Sequence, residues 1–268
     1  MRLSLEFLGT GTSVGVPVIG CDCAVCTSED ALNKRLRSSA LVRGYDSAGA
    51  LRNTVVIDTT PDFRQQMLRS RVRRLDAILL THFHADHVVG IDDMRRYNAM
   101  QNEVLDCFAS PETLAGLRRS FGYAFADDGN LHWGLPCIKG RPLEAGQRFE
   151  IGCLQFEALD QDHVIVRSLG FLIRVAGGPA LAYCLDVKGF PEQTLRALEG
   201  VDTLVLDMLR PKPHPTHLSF DEALAVVERL RPRRTFFGHM AHEVEHREFS
   251  ARLPAGVALA YDGLVLEM

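Results

Sequence analysis

Apolar residues fall in short runs, and several of these runs end on a carboxylate or an imidazole. Met1 to Leu8 alternates apolar and polar positions at the period of a half-buried strand. Ser38 to Arg43 and Asn53 to Asp58 predict a strand pair across a Gly-bearing turn. Thr60-Pro61-Asp62 predicts a helix start, with Thr60 as N-cap and Pro61 at the first helical position. Leu75 to Leu80 is a short apolar run, broken only by Asp76, that reads as a buried strand, and the residues from Val88 onward can continue as a helix. Val104 to Ala109 predicts a strand, and Ser110-Pro111 the start of a helix. Phe121 to Lys139 is irregular and carries Trp133; it reads as a substrate-side loop or as a capped hydrophobic hairpin.

In the second half, Gln155 to Leu159 predicts a short strand followed by a polar turn that contains His163. Leu169 to Val175 and Ala180 to Leu185 predict a hairpin through Gly177-Gly178-Pro179. Pro191 to Leu198 reads as a helix, and Val201 to Leu206 as a strand ending at Asp207. Ser219-x-x-Glu222 is a capping box. Phe220, Ala223, Leu224 and Val227 then recur at helical spacing, which lays one apolar face on the core. Thr235 to Gly238 is a last short strand running into His239. Strands, helix, strand and helix therefore occur twice, which predicts an α/β domain over residues 1–268 made of two ββα-type halves packed sheet to sheet with helices outside. No repeat, low-complexity tract or linker interrupts it.

Composition narrows the function classes. The 268 residues are 46% hydrophobic and 24% charged, with a formal net charge of −4. That balance suits a globular core and gives none of the basic excess of a nucleic-acid protein; Arg69, Arg71, Arg73 and Arg74 read as a solvated helix end. No stretch is long and apolar enough to cross a bilayer, and the N-terminus lacks a signal peptide's apolar run. The expected location is the cytoplasm, with no membrane partner. Seven Cys are then thiols or metal ligands. The oligomer is open, a homodimer included.

The densest chemistry is Thr81-His82-Phe83-His84-Ala85-Asp86-His87, at the carboxyl end of a core strand. His82 and His84 can converge on one point, Asp86 and His87 on a second. Neutral imidazole with carboxylate suits zinc, manganese or iron. A loop of solvated histidines is the bland alternative, and such clustering counts against it. Asp58 closes its strand near this loop, either orienting a ligand His or serving as a surface or capping carboxylate. Gly9 to Pro17 could suggest a phosphate loop. No Gly-Lys-Ser/Thr follows, however, and Val14 stands where a dinucleotide fingerprint needs Gly. A flexible loop beside an active site fits better. Cys21-x-Cys23-x-x-Cys26 can fold around one tetrahedral zinc with a vertex left for a fourth ligand; a redox pair is the weaker reading.

His82-x-His84-x-Asp86-His87 resembles the signature of the metallo-β-lactamase superfamily, a four-layer αββα sandwich with a two-metal hydrolytic site. The resemblance implies one Zn or Mn ion on His82, His84 and His163, and a second on Asp86, His87 and His239. Asp186 would bridge them, and a bridging hydroxide would attack. His242 is extra to a generic member; it could complete a structural zinc with Cys21, Cys23 and Cys26, or be a solvated helix-start residue like His246. With the Cys loop and the His239-x-x-His242 ending, the chain is similar to the bacterial phosphoribosyl 1,2-cyclic phosphate phosphodiesterases. That implies a small-molecule phosphodiester substrate and a proton donor at His217, with His214 as rival. Asp58 to Gln66 looks closer to relatives linked to quinone-cofactor synthesis. Thioester, lactone or RNA phosphodiester hydrolysis, or a non-catalytic metal-bound accessory or carrier, are the other readings.

Overall fold

The computed structural model describes residues 1–268. Its first sheet holds β1 (Arg2–Gly9), β2 (Ser39–Tyr45), β3 (Leu51–Ile57), β4 (Ala77–Leu79), β5 (Leu105–Ala109) and β6 (Ile138–Pro142). The second holds β7 (Arg148–Ile151), β8 (Leu154–His163), β9 (Val166–Arg174), β10 (Leu181–Cys184), β11 (Thr203–Asp207), β12 (Arg234–Gly238) and β13 (Val257–Leu259); β14 (Val265–Glu267) returns to the first. The strand orders are β14-β1-β2-β3-β4-β5-β6 and β13-β12-β11-β10-β9-β8-β7. In each sheet one part is antiparallel and the other parallel.

The period-two geometry of strands sorts the apolar residues into layers. Leu3, Leu5 and Phe7 of β1, Ala40 and Val42 of β2, and Val55 and Ile57 of β3 join Phe156, Phe171 and Tyr183 in a core between the sheets. The alternate residues Leu8, Leu41, Val56 and Ile78 face outward, under α1 (Phe63–Arg69), α3 (Met94–Gln101) and α4 (Pro111–Phe121). On the far side Leu172, Ala182, Leu204 and Phe237 pack beneath α5 (Glu192–Leu198), α6 (Phe220–Leu230) and α7 (His246–Ser250). Burying each large side chain in these layers contributes about 1.5–3 kcal/mol. The result is the four-layer αββα sandwich expected. No helix is long and apolar enough to cross a membrane.

Several local expectations need correction. The helix after β3 starts at Phe63, not Pro61. Thr60 is buried; its hydroxyl donates to Gln66 Oε1 (3.0 Å) and accepts from Asp62 N–H (3.1 Å), which makes a turn ahead of the helix. β8 runs unbroken to His163, so this residue lies in the ladder rather than in a turn beyond it. His246 is buried, with its N–H on Asn33 Oδ1 (2.9 Å). The segment before β6 lies at the amino end of that strand, because β6 is parallel to β5. Trp133 is fully exposed and lines a groove along α3 with Asp93, Arg96 and Asn102.

Candidate metal centre and its cleft

β3, β4, β10, β11 and β12 all point the same way within their sheets, and β8 runs in the same sense as β10 across β9. Their carboxyl ends deliver Asp58, the His82 motif, Asp186, Asp207, His239 and His163 to one edge. The loop after β1 joins them there: Gly11 bridges to both Arg37 and Met240, and Ser13 lines the cleft. Gly9 is required by close approach, since a Cβ there would lie 1.9 Å from Arg37 O. Helix α2 (Ala85–Val88), which carries Asp86 and His87, gives way to a 3-10 turn at Val89–Asp93. There Gly90 passes so near Thr60 O that a Cβ would sit 2.3 Å from it.

The donors converge. His82, His84 and His163 form one group within 4.8 Å, His82, His87 and Asp186 a second, and Asp86, His87 and His239 a third. Asp186 lies between them, with Oδ2 3.4 Å from His87 Nε2 and Oδ1 3.2 Å from His239 Nε2. The outer nitrogens of His82, His87 and His163 are committed elsewhere. His87 Nδ1 donates to Asp58 Oδ2 (2.8 Å), and Asp58 also accepts from Thr81 N–H (2.8 Å) and the Thr81 hydroxyl (2.9 Å). Thr81 Oγ1 meets His82 Nδ1 at 3.0 Å, so one buried carboxylate orients two rings. His163 Nδ1 donates to Thr216 O (2.9 Å). Asp58 thus takes the orienting role, not that of a surface or capping carboxylate.

Four buried atoms at the centre have no hydrogen-bond partner: His87 Nε2, Asp186 Oδ2 and both nitrogens of His239. Buried polar atoms are ordinarily satisfied, and divalent cations would complete His87 Nε2, Asp186 Oδ2 and the His239 Nε2 that faces Asp186. Burial holds His82, His84, His163 and His239 below the usual imidazole pKa, in the neutral form that ligates. His87 goes the other way: burial opposes charge, but Asp186 and Asp58 outweigh it and raise its proton affinity. The same field attracts a metal cation. Backbone strain marks the site as well. Of seven non-glycine residues at positive φ, Arg71, Asn102 and Arg231 follow helices, whereas Asp58, Val164, Asp186 and His239 stand around the centre.

His217 lies over this cluster, its ring 4.8 Å from His163 and stacked 4.7 Å from His239. Its Nδ1 donates to Asp207 Oδ2 at 2.7 Å. Burial lowers its proton affinity, but the Asp207 charge and hydrogen bond outweigh this and raise it above the ordinary value. His214 is more exposed; its Nδ1 is taken by Thr216 N–H (3.3 Å) and the Thr216 hydroxyl (3.2 Å). The cleft beneath has a volume of about 230 Å³.

A second cluster stands apart. His242 Nδ1 lies 3.3, 3.5 and 3.5 Å from the sulfurs of Cys21, Cys23 and Cys26. A tetrahedral zinc with bonds of about 2.3 Å to sulfur and about 2.0 Å to nitrogen needs ligand atoms about 3.6 Å apart, so the four fit one ion. Cys23 is drawn down to about 6, chiefly by the Cys26 N–H, towards the thiolate that binds metal. His239 and His242 share one four-residue segment. Buried Arg35 clamps the 239–244 stretch by donating to Ala241 O (3.0 Å) and Val244 O (2.7 Å).

Sequence reasoning gave no role to Asp207, Thr81, Thr216 or Arg35. Only Asp207 carried a signal: it closes a core strand as Asp58 and Asp186 do.

A family model described as a beta-lactamase superfamily domain matches residues 53–240. A curated relative from Porphyromonas gingivalis (strain ATCC BAA-308 / W83), named octanoyltransferase, is 34% identical over 259 residues, 96% of this chain and 50% of its own. The chain thus spans half the length of that relative. Coenzyme PQQ synthesis protein B from Methylobacterium sp. (strain 4-46) is 29% identical over 233 residues, 75% of this chain and 71% of its own. A solved structure described as a new diphosphatase from the PhnP family is 38% identical with a TM-score of 0.88, covering 100% of this chain and 98% of that one. Zinc-bound PqqB from Methylobacterium extorquens shares the fold at 20% identity and a TM-score of 0.79, covering 99% of this chain and 100% of that one. With its ligand motif, its strand order and these likenesses, the chain belongs to the metallo-β-lactamase superfamily, in its PhnP-like branch.

Proposed function

We propose that this protein hydrolyses small phosphodiesters at a dinuclear metal centre. The observation that carries the reading is the donor cluster around Asp186 with a carboxylate-backed His217 beside it. His82, His84 and His163 would hold one ion and Asp86, His87 and His239 the other, with Asp186 shared. The imidazole and carboxylate set suits Zn or Mn. When bound, such ions supply Lewis acidity and a water acidified towards neutrality. Asp58, Thr81 and the Thr216 carbonyl fix the rings that hold them.

His217 donates the proton. Its Nδ1–H is committed to Asp207, so Nε2 is the atom free to protonate the departing ester oxygen. His214 has no carboxylate partner of this kind. Cys21, Cys23, Cys26 and His242 would hold a closed structural zinc, which has no vertex for substrate. The substrate would be a small molecule rather than a nucleic acid, consistent with the net charge of −4.

The diphosphatase likeness at 38% identity supports a phosphoryl substrate. Thioester hydrolysis is the second reading, favoured by the relative named octanoyltransferase. Assay of bis(p-nitrophenyl) phosphate beside an octanoyl thioester, with added Mn²⁺ or Zn²⁺, decides between them. Diester turnover that Asp186→Ala abolishes is expected. Thioester turnover alone would overturn the phosphodiesterase reading, and turnover of neither would favour a non-catalytic accessory.

A further inference from the structure

The hairpin between β8 and β9 closes on the pair His163↔Val166, which leaves Val164 and Ile165 as its tip. Ile165 N–H donates to His163 O at 2.9 Å while Val164 has φ +67°. A three-residue turn with positive φ at its centre is the rare, strained form of the γ-turn, and a β-branched residue is a poor occupant of that region. Asp162 Oδ1 holds it by accepting from Val164 N–H (2.8 Å). The tip serves no core: Val164 is 57% and Ile165 87% exposed. Yet Ile165 is the one apolar residue lining the cleft, and neither Lys nor Arg lines it.

We infer that Ile165, presented by the turn at Val164, forms an apolar lip that receives a non-polar substituent of the substrate and acts as a specificity-determining residue. This rests on the reading of a phosphoryl substrate at the metal centre. His163 places the lip, because the ligand and the turn are consecutive residues. A phosphoryl group seated among the donors must send its substituent out through an open cleft. No Lys or Arg lines the cleft to pair with a charged substituent, so the exposed Ile165 is the available source of discrimination. The ligand class is a phosphate ester or diester with an alkyl, aryl or acyl group on its outer side.

Binding of methyl-, butyl- and hexylphosphonate to the metal-loaded protein, read by calorimetry, tests this, because their P–C bond is not hydrolysed. A methylene shielded from water on one side should gain about twofold, so butylphosphonate should bind about eightfold more tightly than methylphosphonate. Ile165→Asn should flatten the series while its melting temperature matches wild type, since the side chain is exposed. A flat series in wild type, or the same slope in the variant, would overturn the lip. Turnover is not the readout. A protein that binds the series with the expected slope but hydrolyses no diester keeps the lip and refutes the hydrolytic reading.

Discussion

Replacing Asp58 by Asn removes a charge at nearly constant shape. The backbone there has φ +64°, a region Asn tolerates better than most residues, so strain does not confound the change. Asp58 accepts from Thr81 N–H, the Thr81 hydroxyl and His87 Nδ1–H, all buried. An amide offers one oxygen. If that oxygen keeps the Thr81 bonds, the NH2 faces His87 Nδ1. The ring can then accept only by moving its proton to Nε2, the atom turned towards Asp86 and Asp186, and a protonated Nε2 cannot ligate. If the oxygen keeps His87, Thr81 N–H loses its partner, at a cost of about 1–3 kcal/mol. Loss of such an orienting group weakens metal affinity about 10- to 100-fold, or about 1.4–2.7 kcal/mol of metal-linked stabilisation under excess ion. Zn²⁺ or Mn²⁺ titration by calorimetry, with thermal melts at matched ion concentration, measures both quantities. A variant that binds the ions as tightly as wild type, with the same metal-induced rise in melting temperature, would refute this role for Asp58.

The other expectations are briefer. Cys23→Ser should lose one zinc per chain and melt about 10 °C lower, as loss of several kcal/mol implies for a chain this long, while the folded fraction keeps its turnover; unchanged zinc content and melting temperature would count against a zinc ligand there. Arg35→Met leaves the Val244 carbonyl without its donor in the interior, while Ala241 O keeps only the Val244 N–H, so denaturant unfolding should show a loss of about 1–3 kcal/mol; a loss below about 0.5 kcal/mol would show the clamp to be idle. His217→Ala should keep every metal ion but lose on the order of a hundredfold in kcat on an alkyl diester. That loss should shrink on a p-nitrophenyl diester, whose leaving group scarcely needs a proton, and equal losses on both would remove His217 as the donor.

The strands and the ligand motif were legible because both are local in sequence. Apolar runs such as Ala77 to Leu80 mark strands buried on both faces, and three His and one Asp within six residues cannot hide. What escaped depends on long-range geometry. β14 pairs with β1 through contacts such as Ser4↔Glu267, and neither segment announces the other. Asp207 and His217 meet only because the loop before α6 folds back. Arg35 reads as one more surface charge until the 239–244 segment wraps over it. Thr60 misled because the same hydroxyl that caps helices can close a turn. The place of His163 in the β8 ladder was masked by Asp160, Gln161 and Asp162, whose polarity resembles a turn although they continue the strand.

The central claim is that the cluster around Asp186 holds two cations and the Cys cluster a third. Anomalous diffraction at the zinc edge from zinc-loaded crystals tests it most directly. The account predicts two peaks about 3.5–4 Å apart, flanking Asp186 between the rings of His82, His84 and His163 and those of His87 and His239, with a separate peak among Cys21, Cys23, Cys26 and His242. One peak or none beside Asp186 would contradict it.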